Sequence, residues 1–155
     1  MGSIKLKLYE EKYKEALGEF VLPAEQGQFT GMPADYEEAA EGQNRIVIVN
    51  GEEPVGFFLL HSTGRVLEYS SNESAMLLTA FSINHVHQGK GYAKRSLLQL
   101  PGFVKEHFPS CKEITLGVNH RNAAAQNLYS KTGFEDTGRR KIGKKGEQWI
   151  MRLTV

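Results

Sequence analysis

The stretch Ala75–Ile83 reads AMLLTAFSI, with no charge and with polar side chains only at Thr79 and Ser82. An apolar run of that length marks a β-strand covered on both faces, which needs a layer of structure above and below it. The segment after it supplies one such layer. Ala93, Leu97, Leu100, Val104 and Phe108 recur at helical spacing, so an amphipathic helix is expected after a glycine-rich segment. Pro101-Gly102 lies inside that helix and is expected to kink it, because Pro101 has no N–H to donate. A buried strand leading into an amphipathic helix points to a mixed α/β fold.

The rest of the chain agrees. Ile4 to Leu8 alternates apolar residues with lysine, a first strand near an edge. Glu10 to Phe20 has helical character and Pro23 breaks it; Gln26 to Pro33 is loop-like or loosely helical; a short helix is expected from Ala34 to Glu41. Arg45–Val49 and Val55–His61 are β runs, and Asn50-Gly51 between them is a strong hairpin signal. Ser62 to Ser74 is polar and loop-like. Further on, Ile114, Leu116 and Val118 alternate along a strand, and Asn122 can cap a helix running to about Lys131, stopped by Gly133. Phe134 to Arg140 and Gln148 to Val155 read as a closing strand pair around Gly143 to Gly146. The order βααβββαβαββ describes one mixed α/β domain over residues 1–155.

Composition removes several functions. A formal net charge of +1 lacks the basic excess of a nucleic-acid-binding domain. No apolar run approaches the roughly 20 residues that span a bilayer, and the first residues show no secretory signal. The expectation is a cytoplasmic protein without a nucleic-acid or membrane partner. Cys111 is the only cysteine, so no internal disulfide can form; it is expected to pack at a strand entrance. No Cys or carboxylate completes a metal set with His85 and His87, and no metal is expected.

Between the buried strand and the helix lies His87-Gln88-Gly89-Lys90-Gly91-Tyr92-Ala93-Lys94. Small residues at Gly89, Gly91 and Ala93 let the main chain curl and present successive N–H groups. At a helix N-terminus those donors have no intrahelical acceptors and the dipole favours an anion, so the segment suits a pyrophosphate. Lys90 and Lys94 can add charge. The dinucleotide fingerprint fails because Lys94 stands where a third glycine is needed, and the P-loop spacing is absent.

The pattern that fits is Q/R-x-x-G-x-G/A, matched by Gln88-Gly89-Lys90-Gly91-Tyr92-Ala93. A second pattern, N-x-x-N/A followed by L-Y-x-K-x-G-F, is matched by Asn119-His120-Arg121-Asn122 and Leu128-Tyr129-Ser130-Lys131-Thr132-Gly133-Phe134. With both motifs in order, the chain resembles the GNAT superfamily of N-acetyltransferases. The resemblance implies a central mixed, mostly antiparallel sheet flanked by helices, and acetyl-coenzyme A as cosubstrate. It implies that the strand before the turn splays from its neighbour, so that Phe81, Ser82 and Ile83 offer backbone groups to the pantetheine arm. It places the pyrophosphate on the amides of Gly89, Lys90, Gly91, Tyr92, Ala93 and Lys94, with Gln88 opening the motif. Asn119 and Asn122 would approach the cofactor from the next strand end, although Asn119 also suits a turn and Asn122 a helix N-cap. Tyr129 corresponds to the tyrosine that many relatives place near the thioester sulfur, where a phenol can protonate a departing thiolate.

The chain departs from the family in two respects, the Pro101-Gly102 pair inside the helix and the strand before the turn. Many relatives carry a glutamate on the strand before the turn, and Ala75–Ile83 has none; Glu25, Glu68, Glu73 and His85 are the substitutes at hand. The acceptor expected from the resemblance is a primary amine of a small molecule, met by Phe20, Glu25, Gln26, Phe29 and Tyr36, which can equally pack on the core. A protein or peptide amine and a non-catalytic acyl-coenzyme A sensor stay open. A homodimer is common among relatives, but no segment demands one.

Overall fold

Alternating burial builds the sheet. The computed structural model of the protein describes residues 3–22, 32–36 and 41–155. β1 (Ile4–Leu8) turns Ile4 and Leu6 inward and its lysines to solvent, as a period of two requires. A 3-10 turn at Glu11–Tyr13 leads into the short helix α1 (Lys14–Gly18). β2 (Gln43–Asn50) and β3 (Glu53–His61) form the expected hairpin, with Gly51 at φ +64° in its two-residue loop. After a 3-10 turn at Gly64–Glu68 come β4 (Ala75–Ile83), α2 (Tyr92–His107), β5 (Glu113–Asn119), α3 (Ala123–Lys131), β6 (Glu135–Gly143) and β7 (Gly146–Thr154). Across the sheet the order is β1-β2-β3-β4-β5-β7-β6, and every neighbouring pair is antiparallel except β4 and β5.

The mixed α/β class and the order of elements are as the sequence implies, with one local difference. Where a helix was expected from Ala34 to Glu41, Pro33–Tyr36 is a 3-10 turn and residues 37–40 lie outside the described residues, as do 23–31. Pro101, where a kink was expected, lies inside α2, and the helix runs on past it to His107. One ladder bond is lost, but Leu100, Phe103 and Val104 bury the same turn against the sheet and hold it helical.

The sheet separates two apolar layers. On one face Leu97, Leu100 and Val104 of α2 and Tyr129 of α3 pack on Met76, Leu78, Leu116 and Met151. On the other, Tyr13, Leu17 and Phe20 cover Val47, Val49, Phe57 and Leu59. A smaller cluster on that second face joins Val66 and Tyr69 to Ala75, Leu77 and Ile150. Cys111 is buried just before β5, its Sγ 3.3 Å from the Glu113 carbonyl.

The middle of the sheet is split. β4 and β5 pair only through Ala75↔Glu113, Met76↔Ile114 and Leu77↔Thr115. The register of β4 on β3 shifts between Phe57 and Leu59, and Ala80 sits there at φ +56°. An extra residue on one strand bends it, so β4 leaves β5 at Leu77 and the two strand ends stand apart. Expected to be covered on both faces, β4 is interrupted in its middle: Ala75–Leu78, Ser82 and Ile83 are buried, whereas Thr79, Ala80 and Phe81 are partly exposed.

Candidate active site

Past Leu77, the β4 main-chain groups that face β5 have no strand to bond. The gap they border continues along the glycine-rich turn and the starts of α2 and α3 as one cleft of about 600 Å³. Gln88 secures the turn by donating from Nε2 to the Ile83 carbonyl at 2.8 Å. Gly89 and Gly91 both take positive φ, +79° and +78°, and Gly91 is the residue before the first turn of α2. Arg95 is the first residue of α2 whose N–H reaches a helical carbonyl, that of Gly91 at 3.1 Å. From Gly89 to Lys94, no backbone N–H has an acceptor among the described residues. Unpaired amides at a helix start are an anion site.

The motif residues converge here. Phe81, Ser82, Ile83, Gln88, Gly89, Gly91, Tyr92, Ala93, Lys94, Asn119, Asn122 and Tyr129 all border the cleft. Lys90 does not; it is exposed, and its carbonyl accepts from Arg95 Nη2 at 3.4 Å. Ser82 is only 5% exposed, and its hydroxyl has no partner among the described residues. Asn122 caps α3 by accepting from the Ala125 N–H at 3.2 Å. Asn119 uses its side chain within the fold, donating to the Lys145 carbonyl at 3.0 Å and accepting from the Arg121 N–H at 2.9 Å. It therefore anchors the β6–β7 hairpin to the end of β5.

Tyr129 is 8% exposed, wedged edge-on against Phe81 and Phe134 at centroid distances of 6.4 and 5.4 Å. Its hydroxyl bonds no described residue and is not among the fully buried unpaired atoms, so it opens onto the cleft. Burial pushes the phenol well above its ordinary range.

No Asp or Glu borders the cleft among the described residues. Glu68 is paired with Lys141 at 3.2 Å, Glu73 and His85 are exposed, and Glu25 lies outside the described residues. His87 borders the cleft beside the turn and faces Glu53 at 3.5 Å. Phe20 is buried and Tyr36 stacks on Phe57, so both pack the core; Gln26 and Phe29 are not described. Several charges of the β6–β7 hairpin are engaged locally. Arg140 grips Asp136 through two bonds of 2.9 and 3.0 Å, which holds that carboxyl below its usual range, and Arg139 donates to the Tyr69 carbonyl. No metal-ligand cluster occurs among the described residues, and none of their helices is long and apolar enough to cross a membrane.

Sequence reasoning missed His61. It is 1% exposed on β3, and its Nε2 lies 2.6 Å from Thr79 Oγ1, which borders the cleft. Burial, with Arg65 nearby, lowers the pKa of the imidazole.

The model of the acetyltransferase (GNAT) family matches residues 7–134 of the chain. The chain belongs to that family. Over 152 residues it is 45% identical to the protein described as uncharacterized N-acetyltransferase YbbJ of Bacillus subtilis (strain 168), covering 96% of this chain and 95% of that one. Among solved structures it resembles aminoglycoside acetyltransferase AAC(6')-Ib in complex with coenzyme A and kanamycin, with TM-score 0.79 and 19% identity over 98% of this chain and 95% of that one. A chimera of spermidine N-acetyltransferase SpeG from Vibrio cholerae and hSSAT shares the fold at TM-score 0.70 and 17% identity, over 97% of this chain and 95% of the other. The protein is thus a GNAT N-acetyltransferase.

Proposed function

We propose that this acetyltransferase moves an acetyl group directly from acetyl-coenzyme A to a primary amine of a small molecule. The observation that carries the reading is that Gly89 and Gly91 to Lys94, whose amides are unpaired, border the same cleft as Tyr129. In this reading those amides hold the pyrophosphate, and Lys94, which borders the cleft, adds charge that Lys90 does not. The free edge of β4 at Phe81, Ser82 and Ile83 pairs with the amide-bearing pantetheine arm as a strand would, and the unpartnered Ser82 hydroxyl gives that arm a further contact. Asn122 faces the arm from the start of α3, while Asn119 keeps the floor of the cleft in shape.

The amine attacks the thioester carbonyl, a tetrahedral intermediate forms, and the C–S bond breaks. Tyr129, protonated at neutral pH as any phenol is, supplies the proton that the departing thiolate takes. Backbone N–H groups of the free β4 edge are the donors at hand for the developing oxyanion. A small amine is supported by fold neighbours that include an aminoglycoside and a spermidine acetyltransferase.

The test is thiol release from acetyl-coenzyme A with spermidine, kanamycin, free amino acids and a peptide with an unblocked N-terminus. Turnover of at least one small amine is expected, with kcat lowered about 10²–10⁴-fold in Tyr129→Phe and acetyl-coenzyme A affinity unchanged. Turnover of the peptide alone moves the acceptor to proteins. Tight cofactor binding without any turnover makes the protein an acyl-coenzyme A sensor.

A further inference from the structure

The reaction has to dispose of a proton, and among the described residues no acidic side chain borders the cleft to take it. As the amine nitrogen bonds carbon, it must shed a proton, and the cleft border has no carboxylate among the described residues. The family's usual solution is therefore absent from β4, and a replacement has to touch the gap near Phe81 and Tyr129 rather than the pyrophosphate end.

Thr79 and His61 meet that requirement. On β4, Ala75 and Leu77 belong to the face covered by Val66 and Tyr69, whereas Met76, Leu78 and Phe81 belong to the face covered by α2 and α3. Strand alternation puts Thr79 with Ala75 and Leu77, on the opposite side of the split from Tyr129. Opposite Leu77 on β3 stands His61, and opposite Thr79 stands Leu59. The imidazole and the hydroxyl thus meet diagonally across two strands, 2.6 Å apart, in the seam between the two apolar clusters of that face. A hydrogen bond that short, with one partner buried and the other bordering the cleft, links an interior basic nitrogen to the reaction space. Gln43 of β2 and Leu77 of β4, both uncharged, stand opposite His61 in the sheet, and Arg65 is the charged group that acts on it. His87, the other histidine on the cleft, sits at the turn beside Glu53, at the pyrophosphate end.

We propose that Thr79 receives the proton of the attacking amine and passes its own to His61, so that the pair is the proton relay of acetyl transfer. The inference rests on the acetyl-transfer reading above. In each turnover the nitrogen lone pair forms the C–N bond, one N–H proton moves to Thr79 Oγ1, and the Thr79 proton moves to His61 Nε2. The C–S bond breaks with its electron pair on sulfur, and Tyr129 protonates the thiolate. The imidazolium then releases its proton to water and the phenolate takes one up. The sum is amine plus thioester giving amide plus thiol. Thr79 touches the substrate, whereas His61 acts through it and is a positioning residue. The relay requires neutral His61 with its proton on Nδ1, leaving Nε2 to accept.

Two measurements test this on the intact protein. In ¹⁵N-histidine-labelled protein, NMR should show His61 neutral at pH 7 and protonated on Nδ1; a proton on Nε2 makes the ring a donor to Thr79 and overturns the relay. Kinetically, with whichever amine of the panel is turned over, His61→Gln and Thr79→Val should each lower kcat about 10²-fold. The amine KM and acetyl-coenzyme A affinity should stay within about threefold, which also shows that the buried substitutions fold. The acid limb of the kcat profile, below the ordinary histidine value of 6.5, should vanish in His61→Gln, and Thr79→Ser should recover most of what Thr79→Val loses. Wild-type turnover with His61→Gln equal to it in kcat and acid limb overturns the relay alone. A wild type that turns over no amine overturns the acetyl-transfer reading and the relay with it.

Discussion

The two ends of the cleft are made of different material. At the turn, the groups that face an anion are backbone amides from Gly89 to Lys94, and the side chains there mostly keep out of the way. At the inner end, beyond the point where β4 leaves β5, the proposed chemistry sits on side chains: Tyr129 on one face and Thr79 with His61 on the other. A main-chain site is indifferent to many substitutions but fails when bulk or like charge is added. A side-chain site fails when one functional group is deleted and tolerates its surroundings poorly only where they set its position.

The sharpest way to break the contrast is Gly91→Asp. At φ +78°, with no atom within 4 Å of the added Cβ, there is room for the side chain but strain in the backbone, and a carboxylate lands among the unpaired amides. Acetyl-coenzyme A affinity should fall about 100-fold or more by calorimetry, while Gly91→Asn, which tolerates the left-handed conformation without the charge, should lose far less. Next is the bend that separates the two ends. Ala80→Val puts a β-branched residue at φ +56° and should lower unfolding stability by about 1–3 kcal/mol in urea titration; Ala80→Gly, free of that strain, should stay within about 1 kcal/mol of wild type. A smaller effect is expected from pH. Because the folded pKa of His61 lies below its ordinary 6.5, the unfolded chain binds the extra proton. Stability should therefore be lost as pH falls below 6.5 and level off under the folded pKa, by at most about 1.4 kcal/mol per pH unit within that window. His61→Gln should remove that component of the denaturation midpoint's pH dependence. The smallest effect is Lys90→Ala, which should change cofactor affinity less than about twofold, since Lys90 is exposed and does not border the cleft.

The same contrast explains what could be read without coordinates. The turn was legible because a backbone site is contiguous: Gln88 to Lys94 carry their own conformation, and the Asn122 cap and the Gly133 stop are equally local. β4 was legible in extent because its composition is uncharged and mostly apolar, but not in the partial exposure of Thr79 to Phe81, which depends on where β5 departs. The His61–Thr79 pair was invisible for a similar reason. It joins residues eighteen positions apart through a register that shifts at a bulge, and no periodicity encodes that shift. Asn119 matched the motif, yet its amide is taken up by a carbonyl of the distant β6–β7 turn. Residues 23–31 and 37–40, where the acceptor-facing expectations for Glu25, Gln26 and Phe29 fall, lie outside the described residues.

The three residue pairs that join β4 to β5 have a further consequence. An unpaired strand edge on a protein's rim is a template on which other chains stack, and natural sheets blunt such edges with charge, bulges or cover. Here two edges face each other in the interior, under α2 and α3, where a whole neighbouring sheet has no approach but a single thin, amide-bearing molecule does. Recessing the edge turns an aggregation hazard into a selective filter: what the fold withholds from other proteins, it reserves for a ligand narrow enough to act as the missing strand.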